Sequence, residues 1–372
     1  MPCYPAGPGG CETGFNASCC PSATTHSASP ASLITKFFSI LLLGLFTLLS
    51  YWLLVPKTGV KSPVQRNRNI SILLWYWPFS RPLDLEGDVC WDLYAIPGCY
   101  IMDNHSKFSE ADVVVFHHHE LKTHRWKLPH HLHRPPKQKW LWLSLESPAT
   151  NGNLTPYDSV FNWTMTYRHD SDIFMPYGKL VPKSVYRDGG GHAIPRKNLL
   201  ACWVVSNYRS RQKRAQIYQS LKKLVPIAVY GKWHKKPLSA EELLPTIKRC
   251  HFYLAFENSN FTDYITEKLW RNSFLADTVP VVFGPPRQNY EKVVPSNSFI
   301  HVDDFNSTKS LAEFLHQLVA NKEGYASYFE WHRNYSVKIL SDWRERLCHI
   351  CKHYDQLPAH KAYHHLDAWS RR

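Results

Sequence analysis

The sequence has no long block of Lys or Arg and no recognisable RNA- or DNA-binding module, although the chain is basic. Its 372 residues contain 44 Lys and Arg, 30 Asp and Glu, and 21 His, which gives a formal charge of +14. Such an excess indicates anionic partners. Because the positive charge is spread along the chain, it favours a phosphate-bearing small ligand over a nucleic acid.

Charged side chains are also absent from residues 37–55, which are almost entirely apolar. A run of this length is just enough to cross a bilayer. No small-x-small cleavage site follows it, and this absence argues against a cleaved signal peptide. The run therefore predicts a transmembrane signal-anchor, preceded by a cytoplasmic tail (1–36) and followed by a short stem (56–68).

Two features of the sequence disagree about which side of the membrane holds the C-terminal part. More Lys and Arg follow the anchor than precede it, and a positive-inside count would place that part in the cytosol. Against this, an even six cysteines follow the anchor, which suits disulfides in an oxidising lumen. Seven Asn-x-Ser/Thr motifs follow it too, and these are glycosylated only in secretory compartments. We therefore predict a lumenal C-terminal part, with candidate glycosylation sites at Asn69, Asn104, Asn153, Asn162, Asn260, Asn306 and Asn334.

Apolar segments alternate with helical patterns after the stem, and most are continuously apolar, as in strands buried on both faces. In the first half, strands are predicted over residues 70–77, 111–118, 139–146 and 161–167. In the second half, strands are predicted over 199–208, 226–231, 251–258, 278–286 and 298–305, and helices over 210–224, 263–277 and 310–334. This alternation predicts α/β domains with parallel sheets. The Pro- and Gly-rich stretch at 181–198 predicts a linker between two domains, which would face each other across a cleft.

Glu146 stands where a buried strand is predicted to end, and Pro148 follows it closely. In open parallel sheets, ligands bind beyond the carboxyl ends of the strands. A carboxylate at the edge of a partly dry cleft suits a general base. The pattern alone leaves a second interpretation open, in which Glu146 is only a solvated residue at a strand end.

The segment FENSNFTDYITEKLW (256–270) predicts a strand, a polar turn and a helix, an arrangement that offers a helix N-terminus to a phosphate. Lys268 could meet a diphosphate there, and Glu267 could contact a hydroxyl-rich group. The first strand of the second domain is likewise followed by polar and basic residues, among them Ser206, Asn207 and Arg214. Arg can clamp phosphate oxygens in bidentate fashion. Solvated helix faces have the same pattern, so this interpretation also stays open.

Three motifs resemble metal sites, but each fits another interpretation better. Asp170 and Asp172 resemble the Asp-x-Asp that holds a divalent ion, yet they precede the linker, outside the domain assigned to the nucleotide. Adjacent histidines at 117–119 point to opposite faces of a strand and cannot all converge on zinc. Cys348 and Cys351 have zinc-like spacing, but there is no second CxxC pair and a lumenal chain favours disulfides. We therefore predict no metal site.

Several segments of the sequence resemble the animal α1,3-fucosyltransferases, which are Golgi type II membrane enzymes that use GDP-fucose. The resemblance runs from about residue 70 to the C-terminus, and DYITEKLWRN (263–272) is its most specific motif. The other segments are WYWPF (75–79), DVVVFHH (112–118), LESP (145–148), DSDIFMPYG (170–178), CWVVSN (202–207), FYLAFENS (252–259), VPVVFGPPRQNYE (279–291), FIHVDDF (299–305) and CHIC (348–351). The ending DWRERLCHIC (342–351) looks most like the branch that acts on sialylated lactosamine, the sialyl-Lewis x synthases.

The resemblance implies a GT-B fold, an α/β architecture of two Rossmann-like domains that face a cleft and follow a single transmembrane helix. Residues 69–180 would bind the acceptor, residues 199–345 would bind GDP-fucose, and the tail 346–372 would pack back on the acceptor domain. The protein would be a single-pass type II protein of the Golgi membrane with its catalytic domain in the lumen. Its partners would be GDP-fucose and lactosamine acceptors on glycoproteins or glycolipids, and a homodimer is left open.

The resemblance also implies an inverting transfer of L-fucose to the 3-hydroxyl of N-acetylglucosamine in sialylated type 2 lactosamine. Glu146 would take the proton from that hydroxyl. Arg214 and Lys268 would stabilise the diphosphate charge in place of a metal, so no cofactor is expected. The donor-binding positions carried over are Ser206, Asn207, Arg214, Asn258, Tyr264, Glu267 and Lys268. Transfer to neutral lactosamine, which makes Lewis x, and an inactive glycan-binding paralogue are the alternatives.

The cysteines also match the family's disulfide pattern. The resemblance implies the pairs Cys202–Cys250, Cys90–Cys348 and Cys99–Cys351. Spacing alone equally allows the local pairs Cys90–Cys99 and Cys348–Cys351. The His-rich and basic stretch at 117–137 departs from the family: its positive charge would suit a sialic-acid carboxylate, or it is only a solvated loop.

Overall fold

The computed structural model describes residues 69–123, 127–183 and 193–372, together with Gly44. The predicted cytoplasmic tail and stem, and the predicted signal-anchor apart from Gly44, lie outside the described residues. Within the described ranges, no helix is both long and apolar enough to cross a membrane. The described residues from 69 onward belong to one compact unit.

A six-stranded sheet forms the first half of this unit. Its strands are β1 (Ile70–Leu74), β2 (Cys99–Met102), β3 (Val113–His117), β4 (Lys139–Ser144), β5 (Trp163–Thr166) and β6 (Ile173–Phe174). They lie in the order β2-β1-β3-β4-β5-β6, and all neighbours are parallel. Short α-helices in this half are α1 (Val89–Tyr94), α2 (His118–Lys122) and α3 (Pro148–Asn151). The next strand, β7 (Gly178–Pro182), leaves this sheet.

A five-stranded sheet forms the second half. Its strands are β8 (Leu199–Val204), β9 (Ile227–Tyr230), β10 (Cys250–Phe256), β11 (Val279–Phe283) and β12 (Ile300–His301), in the order β12-β11-β10-β8-β9. All neighbours are again parallel. The α-helices of this half are α4 (Lys213–Leu221), α5 (Ala240–Lys248), α6 (Glu267–Leu269), α7 (Arg287–Glu291), α8 (Thr308–Ala320) and α9 (Lys322–Ser327). Strand β13 (Tyr335–Ile339) then returns to pair antiparallel with β7.

The two sheets share one strand order. In each, the first strand lies between the second and the third, so β1 separates β2 from β3 and β8 separates β9 from β10. This order is that of a doubly wound fold, and it creates a switch point where ligands bind beyond the carboxyl ends of the strands. The prediction of α/β domains with parallel sheets is confirmed.

Alternate residues of the central strands pack on opposite faces of each sheet. In β1, Ile72 and Leu74 join one apolar cluster, whereas Leu73 joins the cluster on the other face. In β10, Phe252 and Leu254 face one cluster and Tyr253 faces the other. Because both faces are covered, the strands need apolar residues at every position, which explains the continuous apolar runs in the sequence.

The helix predicted over 263–277 is shorter than expected and irregular. Asp263 has a left-handed backbone (φ 62°) and Thr266 is extended, so the helix begins only at Glu267. It then continues through a π-helical segment at Trp270–Phe274. The helix predicted over 310–334 is divided at Asn321, whose extended backbone ends α8 and whose side chain caps α9. The strands β2, β6, β7 and β13 and the helices α1, α2, α3, α5 and α7 were not predicted, and the predicted linker overlaps β7 at its start.

The C-terminal tail returns to the first sheet. Helix α10 (Trp343–His353) carries Cys348 and Cys351, which form disulfides with Cys90 in α1 and Cys99 in β2. The structure therefore contains the long-range pairs rather than the local ones, and a zinc site at the CxxC motif is excluded because both thiols are used. The third pair is Cys202–Cys250, which joins β8 to β10. The last helix, α11 (Leu366–Ser370), also lies against the first half.

Candidate active site

Glu146 lies two residues beyond the end of β4 and is half-buried. Its backbone is held at both ends, because its N–H donates to Ser144 Oγ (3.3 Å) and its carbonyl accepts from Asn151 Nδ2 (3.0 Å). The preceding carbonyl, of Leu145, accepts from the hydroxyl of Tyr177 at 2.6 Å. Glu146 thus follows a buried strand as predicted, and neighbouring side chains fix the turn that carries it.

Residues of the second half reach Glu146 across the junction between the sheets. The hydroxyl of Tyr264 donates to Glu146 Oε2 at 3.5 Å, and Ser147 Oγ contacts Ser259 Oγ at 3.0 Å. Burial raises the pKa of Tyr264 well above its usual value, so this phenol keeps its proton and stays a donor. The structure therefore brings the predicted base and one predicted donor-binding residue into contact.

Asp263, next to Tyr264, makes a second link between the two halves. Its carboxylate accepts from the backbone N–H of His169 (3.0 Å) and lies 3.2 Å from the His169 ring nitrogen. The amide of Asn289 donates to the other oxygen at 2.5 Å. Burial alone would raise the pKa of Asp263, but these contacts with His169 and Asn289 hold it far below its usual value. The left-handed backbone of Asp263 is thus held in place by partners on both sides of the junction.

A narrow cavity adjoins Glu146 on the side of the first sheet. Its volume of about 10 Å³ has room for about one water molecule. Trp369 and Ser370 of α11 form part of its lining, together with Tyr167 and Arg168. The C-terminal helix therefore contributes to the immediate surroundings of Glu146, which the sequence did not suggest.

Arg214 is buried at the switch point of the second sheet. Its guanidinium donates to the carbonyls of Asn207 and Phe256 and to the side chain of Asn258. These partners follow or end β8 and β10, so the arginine connects the carboxyl ends of both strands. Burial lowers the pKa of Arg214 from its usual value, but an arginine stays charged at any physiological pH.

Lys268 lies between two carboxylates in a buried cluster. Its ammonium donates to Glu257 Oε2 (2.9 Å), to Thr266 Oγ1 (2.7 Å) and to Glu267 Oε1 (3.1 Å). Burial alone would lower the pKa of Lys268, but the two carboxylates together raise it above its usual value. Lys268 is therefore a fixed positive charge, and Arg214 is within electrostatic reach of the same two glutamates.

Glu257 is the residue of this cluster that the sequence analysis missed. It follows β10 directly, and it is almost completely buried, with 3% of its surface exposed. The rule that selected Glu146, a carboxylate directly after a buried strand, applies equally to Glu257 and would have found it. Burial raises the pKa of Glu257, although the contact with Lys268 opposes this shift.

An open cavity of about 730 Å³ lies at Gln212, whose side chain accepts from Arg214 Nε. Its walls include Arg209 and Arg211, and the rings of Tyr208 and Trp233, which stack with centroids 3.7 Å apart. Gln212 belongs both to this cavity and to the network of Arg214 and Asn258. The predicted residues Ser206 and Asn207 are exposed at the same edge, just after β8.

The three motifs that resemble metal sites have other partners. Asp170 makes a bidentate ion pair with Arg168, whereas Asp172 accepts from Lys361, Tyr363 and Thr164. His117 ends β3 and contacts Glu120, while His118 and His119 begin α2. In the part of the chain that the structure describes, no group of three or more ligating side chains suits a metal ion.

The candidate glycosylation sites differ in how accessible their side chains are. Asn162 is half-buried; its amide nitrogen donates to the Lys361 carbonyl at 2.8 Å, and its oxygen accepts from Trp140 N at 2.9 Å. The hydroxyl-bearing residue of its motif, Thr164, is fully buried. The exposed asparagines are Asn69, Asn104, Asn153, Asn260, Asn306 and Asn334. We therefore expect Asn162 to stay unmodified in the folded protein.

Two family profiles cover almost all of the described chain. The profile of the fucosyltransferase N-terminal region matches residues 67–178, and the profile of the C-terminal region of glycosyltransferase family 10 (fucosyltransferase) matches residues 194–369. The boundary between the two matches coincides with the boundary between the two sheets.

Curated relatives and solved structures are similar along most of the chain. Alpha-(1,3)-fucosyltransferase 7 of Mus musculus is 45% identical over 320 residues, which cover 86% of this chain and 80% of the mouse protein. 4-galactosyl-N-acetylglucosaminide 3-alpha-L-fucosyltransferase 9 of Mus musculus is 40% identical over 299 residues, 80% of this chain and 81% of that protein. A crystal structure of an α1,3-fucosyltransferase with GDP-fucose superposes with a TM-score of 0.53 at 15% identity. The superposition covers 80% of this chain and 92% of the crystallised chain, and this similarity shows a shared fold.

Proposed function

Because the chain belongs to glycosyltransferase family 10, the fucosyltransferases, we propose that it transfers L-fucose from GDP-β-L-fucose to the 3-hydroxyl of N-acetylglucosamine in sialylated type 2 lactosamine. The product would be a sialyl-Lewis x structure. The observation that carries this proposal is the contact between Glu146 and Tyr264, which joins a strand-end carboxylate of one sheet to the segment of the other that leads into Lys268 and lies within electrostatic reach of Arg214.

The transfer needs one base and a stabilised leaving group. Glu146 takes the proton from the acceptor 3-hydroxyl as its oxygen bonds to the anomeric carbon of β-linked fucose. The bond from that carbon to the diphosphate breaks in the same step, GDP leaves with the electron pair, and the configuration inverts. Arg214 and Lys268 face the growing negative charge, where buried cations stabilise a transition state most effectively.

The donor fits the second half of a GT-B enzyme. Arg214 and Lys268 offer charge for a diphosphate, and the open cavity beside Gln212 offers space and aromatic surface for a nucleoside. Its volume is within the usual range of small-molecule sites, which is about 300–1,000 Å³. In this proposal Asn258 and Tyr264 lie along the donor between the diphosphate site and the nucleoside cavity, and Glu267 contacts the fucose.

Neutral lactosamine is the second candidate acceptor, with Lewis x as the product. The relative at 40% identity is named as a 4-galactosyl-N-acetylglucosaminide fucosyltransferase, whereas identity to the fucosyltransferase 7 relative is higher, at 45%. This difference favours the branch that the C-terminal motif also resembles, and therefore the sialylated acceptor.

The deciding experiment measures GDP release and fucosylated product with sialylated and with unsialylated type 2 chains. We expect a much higher kcat/KM with the sialylated chain. A preference for the neutral chain would replace the proposed acceptor. GDP binding without transfer to either chain would instead support an inactive glycan-binding paralogue.

We also propose that the protein is a single-pass type II protein of the Golgi membrane, with the described residues from 69 onward in the lumen. The three disulfides and the six exposed Asn-x-Ser/Thr asparagines support an oxidising, glycosylating compartment. Glycoproteins or glycolipids would supply the acceptor, and a homodimer remains compatible with this setting. Digestion of the expressed protein with a glycosidase specific for N-glycans, followed by a shift in gel mobility, tests the lumenal placement.

A further inference from the structure

Glu257 is a buried carboxylate of the proposed donor site that takes no part in the transfer step. Its side chain is 1% exposed, whereas the side chain of Glu267, the other carboxylate on Lys268, is 37% exposed. The two glutamates therefore share one ammonium but differ in their access to a ligand. Glu267 faces the open side of the site and Glu257 lies behind Lys268.

All three N–H groups of the Lys268 ammonium are already used. They donate to Glu257, Thr266 and Glu267 at distances of 2.7–3.1 Å. Because a lysine has only three donors, a phosphate oxygen can bind Lys268 only if one of these contacts opens. The exposed contact, with Glu267, is the one that a ligand from solvent can displace.

Glu257 also fixes the position of Thr266, so it controls both of the remaining contacts of Lys268. The hydroxyl of Thr266 lies 2.9 Å from each oxygen of Glu257, and the Thr266 N–H donates to Glu257 Oε1 at 2.8 Å. Since the hydroxyl proton of Thr266 points to Glu257, the lone pairs of the hydroxyl oxygen face Lys268. The absence of a side chain at Gly284 makes room for this arrangement, because a Cβ there would lie 3.0 Å from Glu257 Cγ.

We propose that Glu257 is a positioning residue for donor binding: with Thr266 it holds the Lys268 ammonium in place, and the Lys268–Glu267 contact opens to admit a phosphate oxygen. This inference rests on the proposed function, because it requires a nucleoside diphosphate at Lys268. It assigns opposite roles to two carboxylates that bind the same ammonium. The opening contact also frees the Glu267 carboxylate to face the sugar.

The test is the affinity of the full-length, detergent-solubilised protein for GDP, measured by calorimetry for Glu257→Gln and Glu267→Gln. Glu257→Gln keeps the shape of the side chain but removes its charge, and we expect GDP to bind about tenfold or more weakly. Glu267→Gln removes the competitor for Lys268, and we expect an affinity within about threefold of the original or tighter. If Glu257 acted only as a nearby negative charge, its neutralisation would strengthen GDP binding, so the sign of the change is decisive.

Glu345→Gln is the matched control, because Glu345 is also buried and paired with a lysine, Lys338, but lies on α10 outside the site. It should leave GDP affinity unchanged. In kinetics, Glu257→Gln should raise the KM for GDP-fucose and leave the KM for the acceptor unchanged. A purely structural role would lower the melting temperature without this split.

Two results would overturn the inference and leave the proposed function intact. One is a GDP affinity of Glu257→Gln within about threefold of that of the original protein, and the other is an equal loss of GDP affinity in Glu257→Gln and Glu267→Gln. If Glu257→Gln does not fold, Thr266→Val decides instead, since it removes the bridging hydroxyl and keeps the shape; unchanged GDP affinity would overturn the inference. Failure of the unmodified protein to bind GDP would overturn the proposed function and the inference with it.

Discussion

At the residue scale, Glu146 carries the sharpest prediction, because it is the proposed base and touches the other half of the molecule. Glu146→Gln removes the proton acceptor and keeps the shape of the side chain. We expect transfer to fall by about two to four orders of magnitude, the usual contribution of a general base, while GDP affinity is unchanged. Glu330→Gln, at an exposed glutamate, is the control. Near-normal turnover of Glu146→Gln would remove Glu146 as the base.

Metal dependence is a second prediction at this scale. Arg214 and Lys268 supply two fixed positive charges, so EDTA should leave most of the transferase activity intact. The carboxylates of Asp170 and Asp172 already have cationic partners on different parts of the chain, Arg168 and Lys361. Complete loss of activity in EDTA that manganese restores would contradict this prediction and return the two aspartates as metal ligands.

The sequence could identify single site residues better than their neighbours in space. A strand-end rule was enough to select Glu146, and the family resemblance supplied Arg214 and Lys268. The 3.5 Å contact between Glu146 and Tyr264 could not be predicted, because these residues are 118 positions apart and meet only through the way the two sheets face each other. Glu257 satisfies the same strand-end rule, but its role depends on contacts with Thr266 and Lys268 that only the folded segment after β10 creates.

At the element scale, the segment after β10 shows where local patterns fail. Its apolar spacing predicted one regular helix, but Asp263 is held in a left-handed conformation by partners in both halves of the molecule. The helix therefore starts late and widens into a π-helical turn at Trp270–Phe274. Central strands were predicted well, because their apolar runs reflect burial on both faces. Short edge strands such as β2 and β6 carry no such run.

The π-helical turn depends on a glycine in β7. A Cβ at Gly178 would lie 2.7 Å from Trp270 Cγ, closer than two carbon atoms can approach. We expect Gly178→Ala to lower the free energy of unfolding by about 2–3 kcal/mol, as overpacking usually does. Gly98→Ala is the contrasting variant, because a Cβ there meets open space and only its left-handed φ of 70° is strained; its cost should be about 1 kcal/mol. Equal costs, measured by urea unfolding, would contradict the proposed clash.

The start of α2 predicts a dependence of stability on pH. His118 is buried, and its two ring nitrogens contact the Asn151 carbonyl (3.1 Å) and Trp142 Nε1 (3.2 Å). Burial lowers the pKa of His118 from 6.5 to about 4, so the unfolded chain binds a proton more readily than the folded one. His118 should therefore reduce the free energy of unfolding as the pH falls from 6.5 towards 4, by up to about 1.4 kcal/mol per pH unit.

Urea unfolding at pH 7 and pH 5 tests this expectation. His118→Gln should make the loss of stability between these pH values smaller, because the new side chain does not titrate. The exposed His316 provides the control. In His316→Gln, the loss of stability between pH 7 and pH 5 should equal that of the original protein. An unchanged pH dependence in His118→Gln would contradict the assignment.

At the scale of the whole molecule, two sheets of the same strand order are joined by more than the chain between them. Strand β13 returns from the second half to pair with β7, and the tail then continues to the first sheet. There, Lys361 pairs with Asp172 at 2.5 Å, and the backbone N–H of Leu366 donates to Asp158 at 2.8 Å. The part of the chain described from residue 69 onward thus begins and ends on the first sheet, and the second sheet lies between two connections.

The two disulfides of the tail should act on stability as coupled constraints. Cys90–Cys348 and Cys99–Cys351 close loops of 258 and 252 residues between nearly the same points. Once one of them is formed, the other closes only an additional loop of roughly a dozen residues, so its entropic effect on the unfolded chain is smaller than that of the long loop. Removal of either pair by Cys→Ser substitution should therefore cost about 3 kcal/mol, whereas removal of both also releases the long loop and should cost about 8 kcal/mol, more than the sum of the two. Melting temperatures of the two single-pair variants and the double variant check this, and strictly additive losses would show that each disulfide acts locally, on α1 or on β2, rather than by closing the long loop.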